Sequence, residues 1–300
     1  MGKRPSVVAH RGASEVSPEH TLAAYRRAVE AGADGLECDV RLTADGHLVC
    51  VHDRRIDRTS NGRGVLSTMR LEELDGFDWG SWKTPWADLD DEADLPDPDL
   101  TKVLTLEKLL ETVRDAGRPL ELAIETKHPT RYAGLVERRL IEMLDRFGWA
   151  HPRIGSESPV RVMSFSWLSL RRMRVMAPGL RTVLLMDRVP VRFRDGSLPT
   201  GVSYAGPSLE IVTAHPEFVD RAHKHGHQVH VWTVNTEQDV LNCADIGVDA
   251  IISDHPELAL KTLATARAAT ALPKPPIEPT APPSAAPAAR PEPSPHHRAV

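Results

Sequence analysis

Cysteine is scarce in this chain, and its spacing suits neither cross-linking nor metal binding. The 300 residues include three cysteines, Cys38, Cys50 and Cys243. Their odd number and the lack of CxxC spacing argue against a disulfide framework and against a structural zinc site. Small apolar core residues in a reducing compartment are the better interpretation, and we therefore expect a cytoplasmic protein.

Long apolar runs and an excess of positive charge are also missing. No segment approaches the ~18 uncharged apolar residues of a membrane-spanning helix. The opening MGKRPSVVAHRG has only a short apolar run before His10 and Arg11, unlike a secretory signal. The 37 basic and 42 acidic residues are interspersed and give a formal net charge of -5. We therefore expect no membrane span and no nucleic-acid partner.

The bulk composition is typical of one large globular domain, with 41% hydrophobic and 26% charged residues. From about Ala271 onward the sequence ALPKPPIEPTAPPSAAPAARPEPSPHHRAV is dominated by Pro, Ala and Ser and has no apolar period. Such a segment buries too little surface to offset the entropy cost of ordering it. We predict a folded domain over residues 5–265 and a disordered tail over residues 271–300.

Short β-rich segments alternate with longer segments that have apolar residues at helical spacing. The strand candidates are SVVAH, GLECDVRL, HLVCVHD, PLELAIETK, VRVMSF, RTVLLM, VSYAGPS, VHVWTVN and AIISD. This alternation predicts right-handed βαβ units and a parallel sheet. About eight such units in roughly 265 residues favour a closed (β/α)8 barrel, the TIM-barrel fold. Residues 58–104, rich in Trp, Asp and Pro, interrupt the alternation and predict an insertion on one face.

Carboxylates line one face of two strand candidates. In GLECDVRL the strand period of two places Glu37 and Asp39 on one face, and PLELAIETK places Glu125 and Lys127 together in the same way. Both faces of a parallel-barrel strand are covered, so an acidic face must point into the barrel mouth. Three converging oxygen ligands suit Mg²⁺ or Ca²⁺ better than zinc. The alternative is a network of salt bridges with Arg11 and Lys127.

Two histidines end apolar runs, His10 in VVAHRG and His52 in HLVCVHD. A single histidine at a strand end is usually structural, but two beside paired carboxylates are candidates for a general acid and a general base. Arg11 and Lys127 would then bind a phosphate, the first through a bidentate fork and the second as a point charge.

Four more histidines lie close together in the sequence, at His223, His225, His227 and His230. They cross a predicted helix end, Gly226 and a strand start, so their spacing does not place them on one face. We expect a solvated helix terminus here rather than a metal site.

Six segments in fixed order resemble the glycerophosphodiester phosphodiesterase family over roughly Val7 to Leu260. They are HRGASEVSPEHT, GLECDVRLTADGHLVCVHD, DRTSNGRG, IETK, HVWTVN and GVDAIISDHP. The spaced set is far more specific than any one motif. The resemblance implies a TIM barrel, a divalent metal held by carboxylates, and two catalytic histidines. It also implies hydrolysis of glycerophosphodiesters to sn-glycerol 3-phosphate and an alcohol.

Carried over by position, the resemblance assigns the candidate site residues. It implies catalysis by His10 and His52, metal binding by Glu37, Asp39 and Glu125, and phosphate binding by Arg11 and Lys127. Trp232 resembles a family aromatic that packs on the glycerol, with plain barrel filling as the alternative. The family pattern Pro-Glu-Asn-Thr reads Pro18-Glu19-His20-Thr21 here, which leaves the role of His20 open. Direct attack by water and attack by the glycerol 2-hydroxyl through a cyclic phosphate also stay open.

Three other functions deserve comparison. A lysophospholipase D on the same scaffold needs an apolar entrance, which the insertion aromatics Phe77, Trp79, Trp82 and Trp86 would supply unless they form the insertion's own core. A non-catalytic phosphate-ligand-binding barrel is disfavoured because the full set of histidines, carboxylates and cations is present. A metal-dependent amidohydrolase barrel would show His-x-His on its first strand, and VVAHRG does not.

Overall fold

The computed structural model describes residues 4–84, 97, 100–132, 134–153 and 155–271. The strands are β1 (Ser6–His10), β2 (Gly35–Leu42), β3 (Leu48–Cys50), β4 (Glu121–Thr126), β5 (Val160–Ser164), β6 (Arg181–Met186), β7 (Tyr204–Pro207), β8 (Gln228–Trp232) and β9 (Ala250–Ser253). The helices are α1 (Leu22–Glu30), α2 (Leu71–Asp75), α3 (Leu106–Arg114), α4 (Leu135–Arg146), α5 (Trp167–Met176), α6 (Leu209–Ala214), α7 (Glu217–Lys224), α8 (Glu237–Asp245) and α9 (Pro256–Ala271).

Eight of these strands close into a parallel barrel. Around the barrel they follow the order β1, β2, β4, β5, β6, β7, β8 and β9, and β9 pairs with β1 to complete the ring. The predicted (β/α)8 barrel is therefore confirmed. The HLVCVHD segment contributes β3, which pairs antiparallel with the end of β2 instead of joining the ring.

The apolar side chains form layers inside and outside the barrel. Val8, Met163, Val183 and Ile252 are among those that fill the interior. Two larger clusters lie between the strands and the surrounding helices, and the first of them includes Leu36, Cys38 and Val40 from one face of β2. A one-residue slip of a strand would exchange its two faces, so this layering fixes the strand register.

The turn after β1 requires a glycine. Gly12 has φ +88, and a Cβ at this position would lie 2.7 Å from the backbone carbon of Ala24 in α1. An L side chain would meet both left-handed strain and a backbone clash. The short path from β1 to α1 therefore keeps His10 and Arg11 tightly placed at the strand end.

Described parts of the predicted insertion form a small core of their own. Ile56, Leu66, Leu74 and Trp79 pack in one buried cluster beside β3, and Phe77 packs against it. The Trp79 indole N–H also donates to the backbone oxygen of Leu74 at 2.9 Å. These aromatics are therefore committed to the insertion itself, while Trp86 lies outside the described residues.

The structure bears on the cysteines and on the expected lack of a membrane span. Cys38, Cys50 and Cys243 are free thiols and all are buried, as the sequence predicts. None of the helices in the described part of the chain combines the length and the apolar character needed to cross a bilayer.

Removing residues 272–300 should change neither the melting temperature nor the turnover number. The predicted tail, apart from Ala271, lies outside the described residues, and its composition offers no periodic apolar face that would dock on the barrel. Thermal unfolding and turnover of the full chain and of a chain ending at Ala271 provide the comparison. A loss of several degrees on truncation would show that the tail packs on the folded domain.

Candidate active site

Three neighbouring strands bring the predicted site residues to one end of the barrel. Glu37 and Asp39 share the inner face of β2, and the register sets Asp39 directly opposite Glu125 on β4. On the other side of β2, His10 at the end of β1 lies opposite Glu37. Residues far apart in sequence therefore converge, because the carboxyl ends of the parallel strands lie at the same end of the barrel.

The three carboxyl groups form a compact set of oxygen donors. One oxygen each from Glu37, Asp39 and Glu125 lies within 4.8 Å of the other two, and all three residues are buried. Lys127 Nζ lies 2.9 Å from Glu125 Oε1 and 3.3 Å from Asp39 Oδ1. Buried hard oxygens at this separation match what Mg²⁺ and Ca²⁺ prefer. This donor set fits a hard divalent cation.

The pKa values of the three carboxyl groups are shifted in opposite directions. Burial and the neighbouring Asp39 charge raise the pKa of Glu125 to about 8, and the same two causes raise the pKa of Glu37. Burial would also raise the pKa of Asp39, but the hydrogen bond from His20 and the charge of Lys127 hold it well below its usual value. Below about pH 8 Glu125 therefore keeps its proton, and Asp39 carries the negative charge that faces Lys127 and His20.

Without a divalent cation, Glu125 should make a contribution to the free energy of unfolding that falls as pH rises from about 4.5 to about 8. The folded state holds a proton on Glu125 in this window and the unfolded state has released it, so the folded state binds up to about one extra proton. Denaturant unfolding at a series of pH values in a chelator measures this slope. The free energy of unfolding of the wild type minus that of Glu125→Gln should fall across this window, because groups such as His20 and His52 titrate in both proteins. A constant difference would contradict the assignment.

Both candidate catalytic histidines are held by carboxylates. His10 Nδ1 donates to Asp254 Oδ1 at 2.7 Å, and His10 Nε2 lies 4.0 Å from Glu37 Oε2. His52 Nδ1 donates to Asp53 Oδ1 at 2.7 Å, and burial lowers the pKa of His52. With Nδ1 engaged, each ring has Nε2 available for proton transfer.

Arg11 is tied to two carboxylates at the edge of the cluster. Its Nη1 donates to Glu19 Oε1 at 3.1 Å, and its Nε lies 3.2 Å from Asp39 Oδ2. Arg58 binds both Glu19 oxygens at 2.7 Å. Burial opposes ionisation of Glu19, but the hydrogen bond from Arg58 and the charge of Arg11 lower its pKa to about 2. Glu19 therefore bridges the two guanidinium groups and fixes Arg11 near the carboxylates.

A match to a family model decides the identity of this barrel. The model described as the Glycerophosphoryl diester phosphodiesterase family matches residues 10–258. The chain belongs to this family. Its members are phosphoric diester hydrolases, and this protein is therefore an enzyme of that class.

Relatives of this chain agree with this identity, and a solved structure agrees with the fold. "Probable glycerophosphodiester phosphodiesterase 1" of Mycobacterium tuberculosis is 45% identical over 256 residues, covering 85% of this chain and 91% of that protein. The glycerophosphodiester phosphodiesterase of Bacillus subtilis is 34% identical over 256 residues and covers 84% of each chain. The structure of an Oleispira antarctica phosphodiesterase has a TM-score of 0.72 at 24% identity, with 87% of this chain and 97% of that chain covered.

At the position where the family pattern has asparagine, this phosphodiesterase has a buried histidine. His20 Nε2 lies 2.9 Å from Asp39 Oδ2. On its other side, His20 Nδ1 lies 2.9 Å from the Tyr25 hydroxyl, which donates to the backbone oxygen of Glu37. Burial lowers the pKa of His20, and the hydrogen bond to Asp39 opposes that shift. His20 has φ 59 and Arg11 has φ 58, and such left-handed residues cluster at functional sites.

Trp232 lies at the end of β8 on the same rim of the barrel. Its indole N–H donates to the backbone oxygen of Gly206 at 2.7 Å, and its ring meets Phe165 edge-on at 5.4 Å between centroids. The ring also packs against the apolar interior of the barrel. The side chain is therefore held in place at the mouth, where both packing on glycerol and barrel filling are available to it.

The four histidines of residues 223–230 do not share one environment. His223 and His225 are exposed near the end of α7, as expected, and His223 pairs with Asp249 at 2.8 Å. The expectation was wrong for His230, which is buried inside the barrel against Tyr204. The period of β8 sends Val229 and Val231 outward and therefore sends His230 inward.

Sequence reasoning missed the groups that hold the catalytic candidates. Asp254, Asp53, Glu19 and Arg58 are the partners in question. Asp254 ends the last strand candidate, AIISD, and the closing strand of a barrel lies beside the first. That position was the available signal, because it places Asp254 next to His10.

Proposed function

We propose that this phosphodiesterase hydrolyses glycerophosphodiesters to sn-glycerol 3-phosphate and an alcohol, with a divalent cation and two histidines. The observation that carries the proposal is the register across β1, β2 and β4, which gathers His10 and three carboxylates at one barrel mouth. The Oleispira antarctica phosphodiesterase is described in complex with the product sn-glycerol-3-phosphate, and we propose the same product here.

Phosphate binding is assigned to cationic groups beside the carboxylates. Glu37, Asp39 and Glu125 would hold the cation. When bound, it would supply positive charge to the phosphate oxygens while bonds to phosphorus form and break. Arg11 and Lys127 would contact the same oxygens, and their carboxylate partners hold both side chains at the mouth. Cations fixed in advance in a buried site stabilise developing negative charge without reorganisation.

Proton transfer is assigned to His10 and His52. One imidazole removes the proton from the attacking hydroxyl, and the other gives a proton to the oxygen of the departing alcohol. Asp254 and Asp53 would set the tautomer of each ring and stabilise the imidazolium that forms. Trp232 would pack against the glycerol carbons, since its ring lies at the rim and its N–H is already satisfied.

Asp254→Asn should lower kcat by about tenfold or more with little effect on KM. Asparagine keeps the shape of the hydrogen bond to His10 Nδ1 but removes the charge that stabilises the imidazolium. The pH profile of kcat should also shift, which a purely structural role would not cause. Asp115→Asn, at an exposed pair with Arg114, provides the matched control. An unchanged profile would remove Asp254 from this role.

The decisive assay measures release of glycerol 3-phosphate from purified protein supplied with Mg²⁺ or Ca²⁺. Glycerophosphocholine, glycerophosphoethanolamine and glycerophosphoglycerol should be compared, because they differ only in the alcohol. We expect turnover of at least one of them and glycerol 3-phosphate as a product. Failure with all three substrates in both cations would refute the proposal.

The lysophospholipase D alternative is less well supported, because two of the four insertion aromatics it needs serve another role. Trp79 and Phe77 serve the core of the insertion, and Trp82 donates its indole N–H to the backbone oxygen of Trp79 at 3.0 Å. Packing of Trp79 and Phe77 in that core leaves Trp82, which is half-exposed, as the remaining described aromatic of the four. We also propose a cytoplasmic location, which the three buried free thiols support.

A further inference from the structure

Exposed apolar side chains are concentrated on the face of the barrel that carries the active site. Six large apolar residues in the described part of the chain are exposed, at 39% to 77%. Five follow the carboxyl ends of β1, β5 or β6, and they are Val16, Phe165, Trp167, Leu168 and Val191. Exposed apolar groups collected on one face mark an interaction surface more often than scattered ones do.

The exposure of Trp167 and Leu168 follows from how α5 begins. Ser166 caps the helix by accepting a hydrogen bond from the backbone N–H of Ser169. This start turns Leu170 and Met173 toward the core and leaves Trp167 and Leu168 outside in the first turn. Their exposure is thus set by helical phase. We call Phe165, Trp167, Leu168 and Val191 the rim patch.

Arginines lie on the same two segments as the rim patch. Helix α5 has no acidic residue, and Arg171 lies over the Trp167 ring at 5.9 Å. Arg188 and Arg192 are exposed in the segment after β6 that holds Val191. Among the described residues, none of these three arginines has a carboxylate within ion-pair distance. Asp187 is also exposed beside Arg188, and the three arginines outnumber it. The surface is therefore locally basic although the chain as a whole has a net charge of -5.

We propose that the rim patch docks on the surface of a lipid bilayer that contains anionic lipids. Trp167, Leu168 and Val191 enter the interface, and the neighbouring arginines contact lipid phosphates. Separate protruding side chains on two successive rim segments suit a fluid surface better than a rigid partner. Docking turns the barrel mouth toward the bilayer. The proposal concerns binding and does not depend on the proposed reaction.

The test is co-sedimentation of the full chain with phosphatidylcholine vesicles, with and without phosphatidylglycerol, at low and high salt. We expect at least about tenfold stronger partition to the anionic vesicles, because a basic residue near such a surface contributes about fivefold. High salt should reduce this binding. Trp167→Ser with Leu168→Ser, and separately Arg188→Glu with Arg192→Glu, should each abolish the preference. Glycerophosphocholine turnover should stay normal in both.

Two matched variants control for hydrophobicity and charge. Val175→Ser removes an exposed apolar residue near the far end of α5, and Arg153→Glu reverses an exposed arginine before β5, at the opposite end of the barrel. Both should bind vesicles like the wild type. Equal partition to neutral and anionic vesicles, or equal loss in patch and control variants, would overturn the proposal.

Sedimentation velocity separates lipid docking from self-association. A dimer that the rim-patch variants dissociate would show that a second copy covers the patch, and it would overturn lipid docking. Vesicle binding by a protein without phosphodiesterase turnover would contradict the proposed function and leave the docking surface intact.

Discussion

Replacing either His10 or His52 with alanine should lower kcat by at least about a hundredfold, the usual contribution of a positioned general acid or base. Each imidazole has Nδ1 fixed by a carboxylate, and His10 Nε2 lies 4.0 Å from Glu37 Oε2 in the carboxylate cluster. Steady-state kinetics on glycerophosphocholine measure the loss. Circular dichroism and thermal unfolding should show that both variants keep the fold.

His151→Ala is the matched control for these two variants. His151 is exposed in the loop before β5, at the end of the barrel away from the site, so its loss should leave turnover unchanged. Near-normal activity of the purified His10→Ala or His52→Ala protein would exclude that histidine as an acid or base. A comparable loss in His151→Ala would point to a general defect of the preparation.

Removal of divalent cations should abolish turnover, and Mg²⁺ or Ca²⁺ should restore it. The folded state brings one oxygen from each of three buried carboxyl groups within 4.8 Å of the others and the unfolded state does not, so metal binding should also raise the melting temperature. Glu125→Gln keeps the size of the side chain and removes the charge that a hard cation prefers. We expect this variant to bind metal more weakly by calorimetry and to lose most of its metal-dependent rise in melting temperature.

Glu142→Gln controls for the loss of one carboxylate elsewhere, because Glu142 is exposed on α4 and pairs with Arg139. Its metal affinity and melting temperature should match those of the wild type. Full activity of the Glu125→Gln protein after exhaustive chelation would falsify the metal assignment. The cluster would then be the network of salt bridges with Arg11 and Lys127.

The barrel itself was predictable from the sequence because its determinants are local. A period of two in GLECDVRL separates Glu37 and Asp39 from Leu36 and Cys38, and the structure places the two sets on opposite faces. Alternation of such segments with helical ones leads directly to parallel βαβ units. The His10 and Glu125 positions at strand ends follow from the same pattern.

The sequence by itself therefore determined the strand faces, the order of the elements and the residues that reach the candidate site at the rim of the barrel. Only the tertiary structure decided which of these residues meet, because register and barrel closure depend on packing between distant segments. Asp39 faces Glu125 across paired strands, and His10 meets Asp254, 244 residues later, because β9 closes on β1. His20 shows the same limit, since its hydrogen bond to Asp39 depends on how the turn before α1 folds over β2.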